Sequence, residues 1–316
     1  MKSPIEVLNA FDAIRPAQAG DGYKPHKPLL LLLSLGRVQR GEPRLAEFTE
    51  IEQRLKNLLL EFGPTNSESR RHLPFWHLHT DLGGALWDLS GPAALLNRPA
   101  ANTPNIGELR ANRVAGGFHP DVDACLRSTP GLVAACAHKV LEKYFPGTLR
   151  EDIAAAAAVD LDEPSWVAEA TGTYQVTQPA KRRRSGEFRD RVLRAYEFRC
   201  CVCGFDLRIG HIPAGLEAAH IMWHHVGGPD VEPNGLSLCA LHHKLFDLGA
   251  FTVEPNSYRV LFSQHAVSGE RGLSGAMQHH GKAIYLPVDL QHRPAQEYLS
   301  WNMNSVFKKP WWTICN

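Results

Sequence analysis

The stretch LEAAHIMWHHVGGPDVEPNGLSLCALHHKLFD, residues Leu216–Asp247, contains five histidines, one cysteine and one asparagine in 32 residues. A second compact group, CCVCG at Cys200–Gly204, lies just before it. Together they hold two pairs of metal-binding residue types with the i, i+3 spacing of zinc knuckles, Cys200-x-x-Cys203 and Cys239-x-x-His242. Two such pairs in tight turns can complete a tetrahedron around one ion, whereas buried cysteines that merely lie close rarely show this spacing. The pattern predicts one structural Zn²⁺ on these four side chains, with Cys201 turned away.

Three further residues of this stretch, His220, Asn234 and His243, are not needed for that tetrahedron. With their neighbours LEAAHI, GG and NGLSLCALHHKLFD they resemble the HNH nuclease motif, in which a two-stranded ribbon and a helix surround one divalent metal. The resemblance covers roughly residues 186–310 and implies a ββα-metal fold. It implies that His220 ends the first strand, Asn234 lies in the loop and His243 lies on the helix.

The chemistry of phosphodiester hydrolysis explains these residue types. The reaction needs a base that activates water and a cation that stabilises the added negative charge on the phosphate and the leaving oxygen. Because histidine titrates near neutrality, His220 is predicted to be the general base. His243 is predicted to bind the catalytic metal, Mg²⁺ or Mn²⁺, and Asp247, one helical turn later, is a candidate second ligand. Asn234 is expected to fix the loop and to orient the base.

The sequence departs from the HNH motif at one position. Many members of the family carry Asp or His directly before the first motif histidine, as a metal ligand, and this chain has Ala219 there. Either His220 itself contacts the metal, or a nearby acid such as Glu217 or Asp230 substitutes. The remaining histidines around the ribbon are predicted to lie at the surface or to contact DNA: His211, His224 and His225.

Length and composition indicate a globular protein of two domains. A chain of 316 residues exceeds one ordinary domain, and its 44% apolar and 21% charged residues are typical of globular proteins. The N-terminus MKSPIEVLNAFDAIRP lacks the apolar core of a signal peptide, and apolar runs such as Leu29–Leu33 are far shorter than the ~20 residues of a membrane span. We therefore expect a cytoplasmic protein without membrane contact. In that reducing compartment, four cysteines within 40 residues and beside histidines favour metal over disulfides.

The predicted fold class is α+β, with three parts. A mostly helical DNA-binding domain covers residues 1–165, a basic linker covers 166–185, and the nuclease domain covers 186–316. The net charge of +1 hides a segregation, because Lys181–Arg199 holds eight Lys and Arg against three acids. The run Lys181–Arg184 is predicted to contact phosphate, with a solvated linker as the alternative.

Capping residues and apolar spacing predict several helices in the first domain. One helix starts at Ser3-Pro4, one runs from Pro28 to Gly41, and one ends at Gly63. Two more cover Leu132–Tyr144 and Arg150–Val159. The segment LPFWHLHTDLGGALWDL alternates apolar residues around a Gly-Gly pair. This alternation predicts two short strands or a hairpin.

The first domain also contains segments that resemble a known family of DNA-binding domains. The segments YKPHKPLLLL, RRHLPFWHL and LRANRVAGGF are similar to the sulfur-binding domain of McrA-like type IV, modification-dependent restriction endonucleases. Those enzymes recognise DNA whose backbone carries phosphorothioate, with sulfur in place of a non-bridging oxygen. The resemblance implies that Pro74 and His77 lie at the sulfur and that His26 and Lys27 contact backbone and bases.

Physical chemistry is consistent with that role. His26 and Lys27 stand at the start of the Pro28 helix, where free amides and the helix dipole favour an anion. Sulfur is larger and less strongly hydrated than oxygen, so an apolar cup can take the sulfur while cations hold the remaining charge. The expected cup consists of Pro74, Phe75 and Trp76, although Phe75 is better explained as core. The expected rim consists of Arg70, Arg71, His72 or His77, completed by Arg110 or Arg113.

The sequence thus predicts a modification-dependent restriction endonuclease that acts on phosphorothioate-modified double-stranded DNA. One alternative keeps the nuclease and has the first domain read a modified base such as methylcytosine. Another is a zinc-containing DNA-binding regulator without catalysis, which the second set His220, Asn234 and His243 argues against. The oligomeric state stays open, a homodimer included.

Overall fold

The computed structural model describes residues 2–14, 24–99, 102–161, 183–269 and 275–313. These residues divide into two compact units, one made of those up to Leu161 and one of those from Arg183 onwards. Most of the predicted linker, residues 166–182, lies outside the described residues, as do the side chains of the basic run Lys181–Arg184. No helix in the described ranges is long and apolar enough to cross a membrane.

The first unit is mostly helical, with a small antiparallel sheet in the strand order β1-β3-β2. Its strands are β1 (Ala46–Glu47), β2 (Trp87–Ser90) and β3 (Ala115–Phe118). Its helices are α1 (Pro4–Ala13), α2 (His26–Gln39), α3 (Phe48–Phe62), α4 (His72–His77), α5 (Ala93–Leu96), α6 (Ile106–Ala111), α7 (Pro120–Ser128), α8 (Leu132–Tyr144) and α9 (Arg150–Ala157).

Helix α2 lies at the centre of the core of this unit. Leu29–Leu33 are all fully buried, because α3, α8 and α9 pack around the helix. The predicted helices are confirmed at their main positions. The Ser3 side chain accepts a hydrogen bond from the Glu6 amide at the start of α1, and Gly63 caps the end of α3.

The prediction of two short strands or a hairpin in LPFWHLHTDLGGALWDL is wrong. Its first part is helix α4 followed by a 3₁₀ segment, and only its end forms strand β2. The reason is burial: Pro74, Phe75 and Trp76 are consecutive and all buried, which a half-exposed strand does not allow. Phe75 packs edge-on against Phe48 and Trp87, with ring centroids 5.1 and 6.0 Å away.

The second unit is built around a two-stranded ribbon and a helix, as predicted. Strand β6 pairs antiparallel with β7, so that His220 lies opposite Gly235 and Leu216 lies opposite Cys239. Its helices are α10 (Arg183–Ala195), α11 (Ala240–Asp247) and α12 (Gln296–Ser305). Its strands are β4 (Arg208–Ile209), β5 (Ile212–Pro213), β6 (Leu216–His220), β7 (Gly235–Cys239), β8 (Phe251–Val253) and β9 (Val260–Phe262).

Helix α10 packs directly on the ribbon and begins within the predicted linker. Phe188, Val192 and Tyr196 are buried against it. A Cβ atom at Gly235 would lie 2.4 Å from a Val192 methyl group, so glycine permits this close approach. The helix therefore forms a wall beside the end of β6, where His220 lies.

Candidate functional site

The four predicted knuckle residues converge. One ligand atom from each of Cys200, Cys203, Cys239 and His242 lies within 4.8 Å of the others, and among the described residues no other such group of metal-binding side chains occurs. The Cys239 Sγ atom is 3.1 Å from His242 Nδ1, and the Sγ atoms of Cys203 and Cys239 are 4.0 Å apart. Tetrahedral thiolate ligands are about 3.8 Å apart around zinc, given Zn–S bonds of about 2.3 Å. The cluster therefore fits a metal ion.

Local structure explains this convergence. The Gly204 amide donates to the Cys200 carbonyl at 2.9 Å, and Gly204 has a φ of +76°, which closes the first knuckle. Cys239 ends β7 and is the N-cap residue of α11, which places His242 in the first turn of that helix. Cys201 is fully buried and takes no part in the group, as predicted.

The electrostatics of the cluster favour a cation. Hydrogen bonds from the thiols of Cys203 and Cys239 lower the pKa of Cys200, although burial opposes this shift. Burial would lower the pKa of His242, but hydrogen bonds with Cys200 and Cys239 raise it to about 9. Thiolate is the form of cysteine that binds metal. The group thus attracts positive charge in a buried place.

His220 is held by two contacts at the end of β6. Its Nε2 atom is 2.8 Å from Asp230 Oδ1, and its ring stacks on Phe188 with centroids 4.1 Å apart and an interplanar angle of 15°. Because a carboxylate only accepts, this bond places the proton on Nε2 and leaves the lone pair on Nδ1. Burial lowers the pKa of His220, and the hydrogen bond with Asp230 opposes that shift without cancelling it. The ring is therefore a neutral proton acceptor near neutral pH.

Asn234 fixes the loop between β6 and β7 but does not orient His220. It is fully buried, and its Oδ1 atom accepts from the Met222 amide at 2.8 Å. Its Nδ2 group donates to the carbonyls of Met222 and Pro229 at 3.0 and 2.9 Å. Orientation of His220, which we expected from Asn234, comes from Asp230 instead. The Asn234 side chain thus ties together the two ends of this loop, at Met222 and Pro229.

His243 lies between two carboxylates. Its Nδ1 atom contacts Glu217 Oε2 at 2.5 Å, and its Nε2 atom is 3.3 Å from Asp247 Oδ2. Burial lowers the pKa of His243, but Asp247 and Glu217 more than offset this, so that the pKa is raised. The two acids therefore lie at opposite nitrogens of the imidazole ring. His243 and Asp247, the two residues predicted to bind the catalytic metal, are in direct contact. Of the two acids considered as substitutes at Ala219, Glu217 is at His243 and Asp230 is at His220.

His211 and His224 lie at the edge of this region. His224 lies in a short 3₁₀ turn, edge-on to His220 with ring centroids 6.4 Å apart. His211 is exposed in the turn between β4 and β5. The side chain of His225 is outside the described residues.

In the first unit, several predicted DNA-binding residues gather at the start of α2. His26 Nε2 is 2.9 Å from the Ser67 carbonyl oxygen, and Lys27 pairs with Asp81 at 2.6 Å. Among the described residues, no side chain caps this helix start. Burial lowers the pKa of His26, and the charges of nearby Lys24 and Arg70 lower it further. Arg70 is exposed.

The predicted apolar cup is largely core. Phe75 and Trp76 are buried, so they are not available to a ligand at the surface. Pro74 is buried too, and its place at the sulfur stays a prediction. His77 is half-buried and contacts Thr103 Oγ1 at 3.2 Å. Burial and the nearby charge of Lys27 lower the pKa of His77.

Three of the four predicted arginines are paired with acids that were not among the predicted site residues. Arg71 and Arg110 both bind Glu52, and Arg113 binds Glu47. Glu52 lies among the buried residues of α3, between Ile51 and Leu55. The sequence does contain a signal for this pairing. Glu52 is an acid within the apolar face of an amphipathic helix, and a buried charge there needs a partner.

Comparison with known protein families assigns a family to each of the two units. Residues 4–162, half of the 316-residue chain, match the family described as ScoMcrA-like, DNA sulfur-binding domain. Residues 200–254 match the HNH endonuclease family. No curated protein matches the sequence.

Solved structures similar to this chain include three of ScoMcrA. The sulfur-binding domain of ScoMcrA complexed with phosphorothioated DNA is 25% identical, over 48% of this chain and 98% of that one, with a TM-score of 0.41. The sulfur-binding and SRA domains in such a complex are 27% identical over 46% and 45%, with a TM-score of 0.40. The type IV phosphorothioation-dependent restriction endonuclease ScoMcrA is 26% identical over 46% and 28%, with a TM-score of 0.39. This chain therefore spans less than a third of that endonuclease.

The two family matches do not overlap, and each falls within one compact unit. The chain belongs to the ScoMcrA-like DNA sulfur-binding domain family and carries an HNH endonuclease domain after that domain.

Proposed function

We propose that this chain is a modification-dependent restriction endonuclease. Residues 1–165 recognise phosphorothioate-modified double-stranded DNA, and residues 186–316 hydrolyse a phosphodiester bond nearby with a divalent metal. One observation carries the proposal: the ribbon and helix hold the pair His220–Asp230 and the group Glu217, His243 and Asp247 in addition to a complete Cys/His cluster. A protein that used metal only to stabilise its fold would not need this second set.

His220 acts as the general base. Its Nδ1 lone pair accepts a proton from the attacking water, while Asp230 and Phe188 hold the ring in one orientation. Because Asp230 fixes the proton on Nε2, the imidazolium formed in this step is stabilised by the carboxylate. Asn234 supports the same geometry from a distance by holding the loop that carries Asp230.

The catalytic cation would bind to His243 together with Asp247, while Glu217 on the other ring nitrogen would hold the imidazole in place. Mg²⁺ or Mn²⁺ at these residues would supply positive charge against the phosphate and the leaving oxygen. The two acids already surround His243 with negative charge, which suits a cation.

Zn²⁺ is the ion we propose for the Cys/His cluster. Three thiolates and one imidazole in a closed, largely buried tetrahedron are typical of structural zinc. The cluster connects the knuckle after α10 to the start of α11, so the ion would hold the catalytic helix on the ribbon.

Recognition of the modified backbone is assigned to the start of α2 and its neighbours. Uncapped amides, Lys27 and Arg70 favour the phosphate charge, and burial keeps His26 and His77 neutral as hydrogen-bonding groups. The residues proposed to contact DNA or sulfur are His26, Lys27, Arg70, Arg71, Pro74, His77 and Arg110.

The test uses duplexes that are identical except for one phosphorothioate, incubated with the protein in Mg²⁺ or Mn²⁺. We expect cleavage of the modified duplex alone. A third duplex with 5-methylcytosine and no sulfur examines the alternative of a modified base. Cleavage of that duplex alone would favour the alternative, and binding without cleavage of any duplex would indicate a DNA-binding regulator.

A further inference from the structure

One carboxylate joins three elements of the first unit. Glu52 lies on α3, Arg71 directly precedes α4, and Arg110 lies on α6. Arg71 Nε and Arg110 Nη2 each donate to Glu52 Oε1 at 2.8 Å, and Arg110 Nε donates to Oε2 at 2.8 Å. Arg71 Nη2 adds a bond to Oε1, and Arg71 Nη1 donates to the Glu68 carbonyl at 2.9 Å. Both guanidinium groups are therefore fixed in orientation by Glu52.

The exposure of the three side chains increases from the acid to the cations. Glu52 is 9% exposed, Arg71 14% and Arg110 53%. Burial raises the pKa of Glu52, but the hydrogen bonds from Arg110 and Arg71 hold it below its ordinary value, so the acid is ionised. Two cations and one anion leave a net charge of +1. Arg110 uses its Nε and Nη2 edge for Glu52, which leaves Nη1 outside the pair.

Stability alone is a weak explanation for this arrangement. A buried ion pair seldom stabilises a protein more than apolar residues of the same size would, because both charges lose their hydration. A held guanidinium has a clear benefit in binding, however. An arginine that is free in solution loses side-chain entropy when it contacts a phosphate, and one already held in place has lost it before binding.

We propose that Glu52 is a positioning residue for DNA binding: it holds Arg71 and Arg110 as a fixed, net positive fork that contacts the DNA backbone. The inference rests on the proposed function of residues 1–165. It assigns the acid a role opposite to that expected from its charge, since a carboxylate near DNA by itself repels phosphate.

The charge of Glu52 makes the proposal testable, because electrostatics and positioning predict opposite changes in DNA affinity. Glu52→Gln keeps the size of the side chain and removes one negative charge, which by electrostatics alone tightens DNA binding. The proposal requires the reverse, because both arginines lose their anchor. In the full chain, with His220→Ala present to prevent cleavage, we expect Glu52→Gln to bind the phosphorothioated duplex about ten-fold more weakly, the scale of one lost bidentate contact.

Glu42→Gln is the matched control. Glu42 also joins two arginines, Arg37 at 2.6 Å and Arg40 at 2.7 Å, and its substitution removes the same charge. We expect this variant to bind equally or more tightly than the protein with His220→Ala alone. If Glu52→Gln behaves like Glu42→Gln, the positioning role is overturned.

A double-mutant cycle separates positioning from folding. Binding is measured below the thermal unfolding midpoint of each variant, for Arg110→Ala, Glu52→Gln and the two combined. Positioning predicts that Arg110→Ala costs much less once Glu52→Gln is present, and additive losses would overturn the proposal. If the parent protein, which carries His220→Ala alone, binds both duplexes equally, sulfur recognition is contradicted. The role of Glu52 is then still decided by comparing how tightly the variants bind either duplex. A parent protein that binds neither duplex would contradict both.

Discussion

His220 and His243 belong to the same ribbon-and-helix unit, but their neighbours suit them to opposite roles. Burial lowers the pKa of His220 and keeps the ring neutral, whereas Asp247 and Glu217 raise the pKa of His243 against the effect of burial. A neutral imidazole can take a proton from water, and a site that attracts a proton can also attract a metal cation. The roles proposed for the two histidines thus follow from the acids that surround them.

Replacement of His220 should abolish cleavage and leave DNA binding intact. His220→Ala removes the Nδ1 acceptor, and loss of a general base typically costs ~10²–10⁴-fold in rate. The modified duplex should still bind in a gel-shift assay, because its proposed contacts lie in residues 1–165. His224→Ala, which removes only an edge-on neighbour, should retain most activity. Normal cleavage by His220→Ala beside an inactive His224→Ala would reverse our assignment.

Replacement of Asp230 should change the pH dependence of cleavage. The Asp230 hydrogen bond raises the pKa of His220, so Asp230→Asn lowers that pKa further. Cleavage needs neutral His220, and its rate falls as the pH drops through this pKa. The acid limb of the single-turnover rate profile should therefore move to lower pH.

The plateau rate of Asp230→Asn should also fall by ~10–10²-fold, as the ring loses its orienting partner. Glu232→Gln is the control, because Glu232 lies in the same loop and pairs with Arg191 at 2.9 Å. A limb that stays in place or moves to higher pH in Asp230→Asn would show that the contact with His220 is not functional.

At the scale of elements, the sequence predicts most helices and the metal-binding pairs, but not the contacts that depend on the assembled core. The knuckles were predictable because the two residues of each pair lie three positions apart, and the ribbon and α11 followed from the resemblance to the HNH motif. The helix at His72–His77 was missed, because its apolar residues face a core that only the assembled unit creates. The pairs of Glu52 join residues 19 and 58 positions away, and no spacing rule reaches that far. Asp230 was one of two candidate acids, and only the folded loop distinguishes it from Glu217.

The Cys/His cluster should determine whether the second unit folds. Structural zinc contributes ~10–16 kcal/mol of apparent binding free energy in small zinc domains, more than most domains have in total stability. Cys203→Ser, or removal of the metal by a chelator, should therefore abolish the thermal transition of the second unit and leave that of the first. The control Cys201→Ala removes a buried thiol outside the cluster and should keep both transitions.

Elemental analysis measures the same prediction directly. The protein should contain one zinc per chain, and Cys203→Ser should contain less, while Cys201→Ala should match the parent. Active protein without zinc would refute the assignment of the ion.

At the scale of the whole molecule, recognition and cleavage fall on separate compact units. The first unit has its own core around Leu29–Leu33, and the second has another that includes Phe188 and Phe246. The proposed sulfur contacts belong to the first unit, and the proposed general base and metal ligands belong to the second. Each activity should therefore survive the loss of the other.

The isolated segment 1–165 should bind phosphorothioated duplex more tightly than the unmodified one and cut neither. It keeps the start of α2, α4 and the Glu52 network, together with the core that supports them. It lacks every residue proposed for hydrolysis. Contacts to phosphate charge alone weaken steeply with salt and do not distinguish the two duplexes, so the comparison belongs at moderate salt. If segment 1–165 binds both duplexes equally at moderate salt, sulfur recognition does not reside in this unit. Recognition of a modified base then becomes the better hypothesis for the first domain.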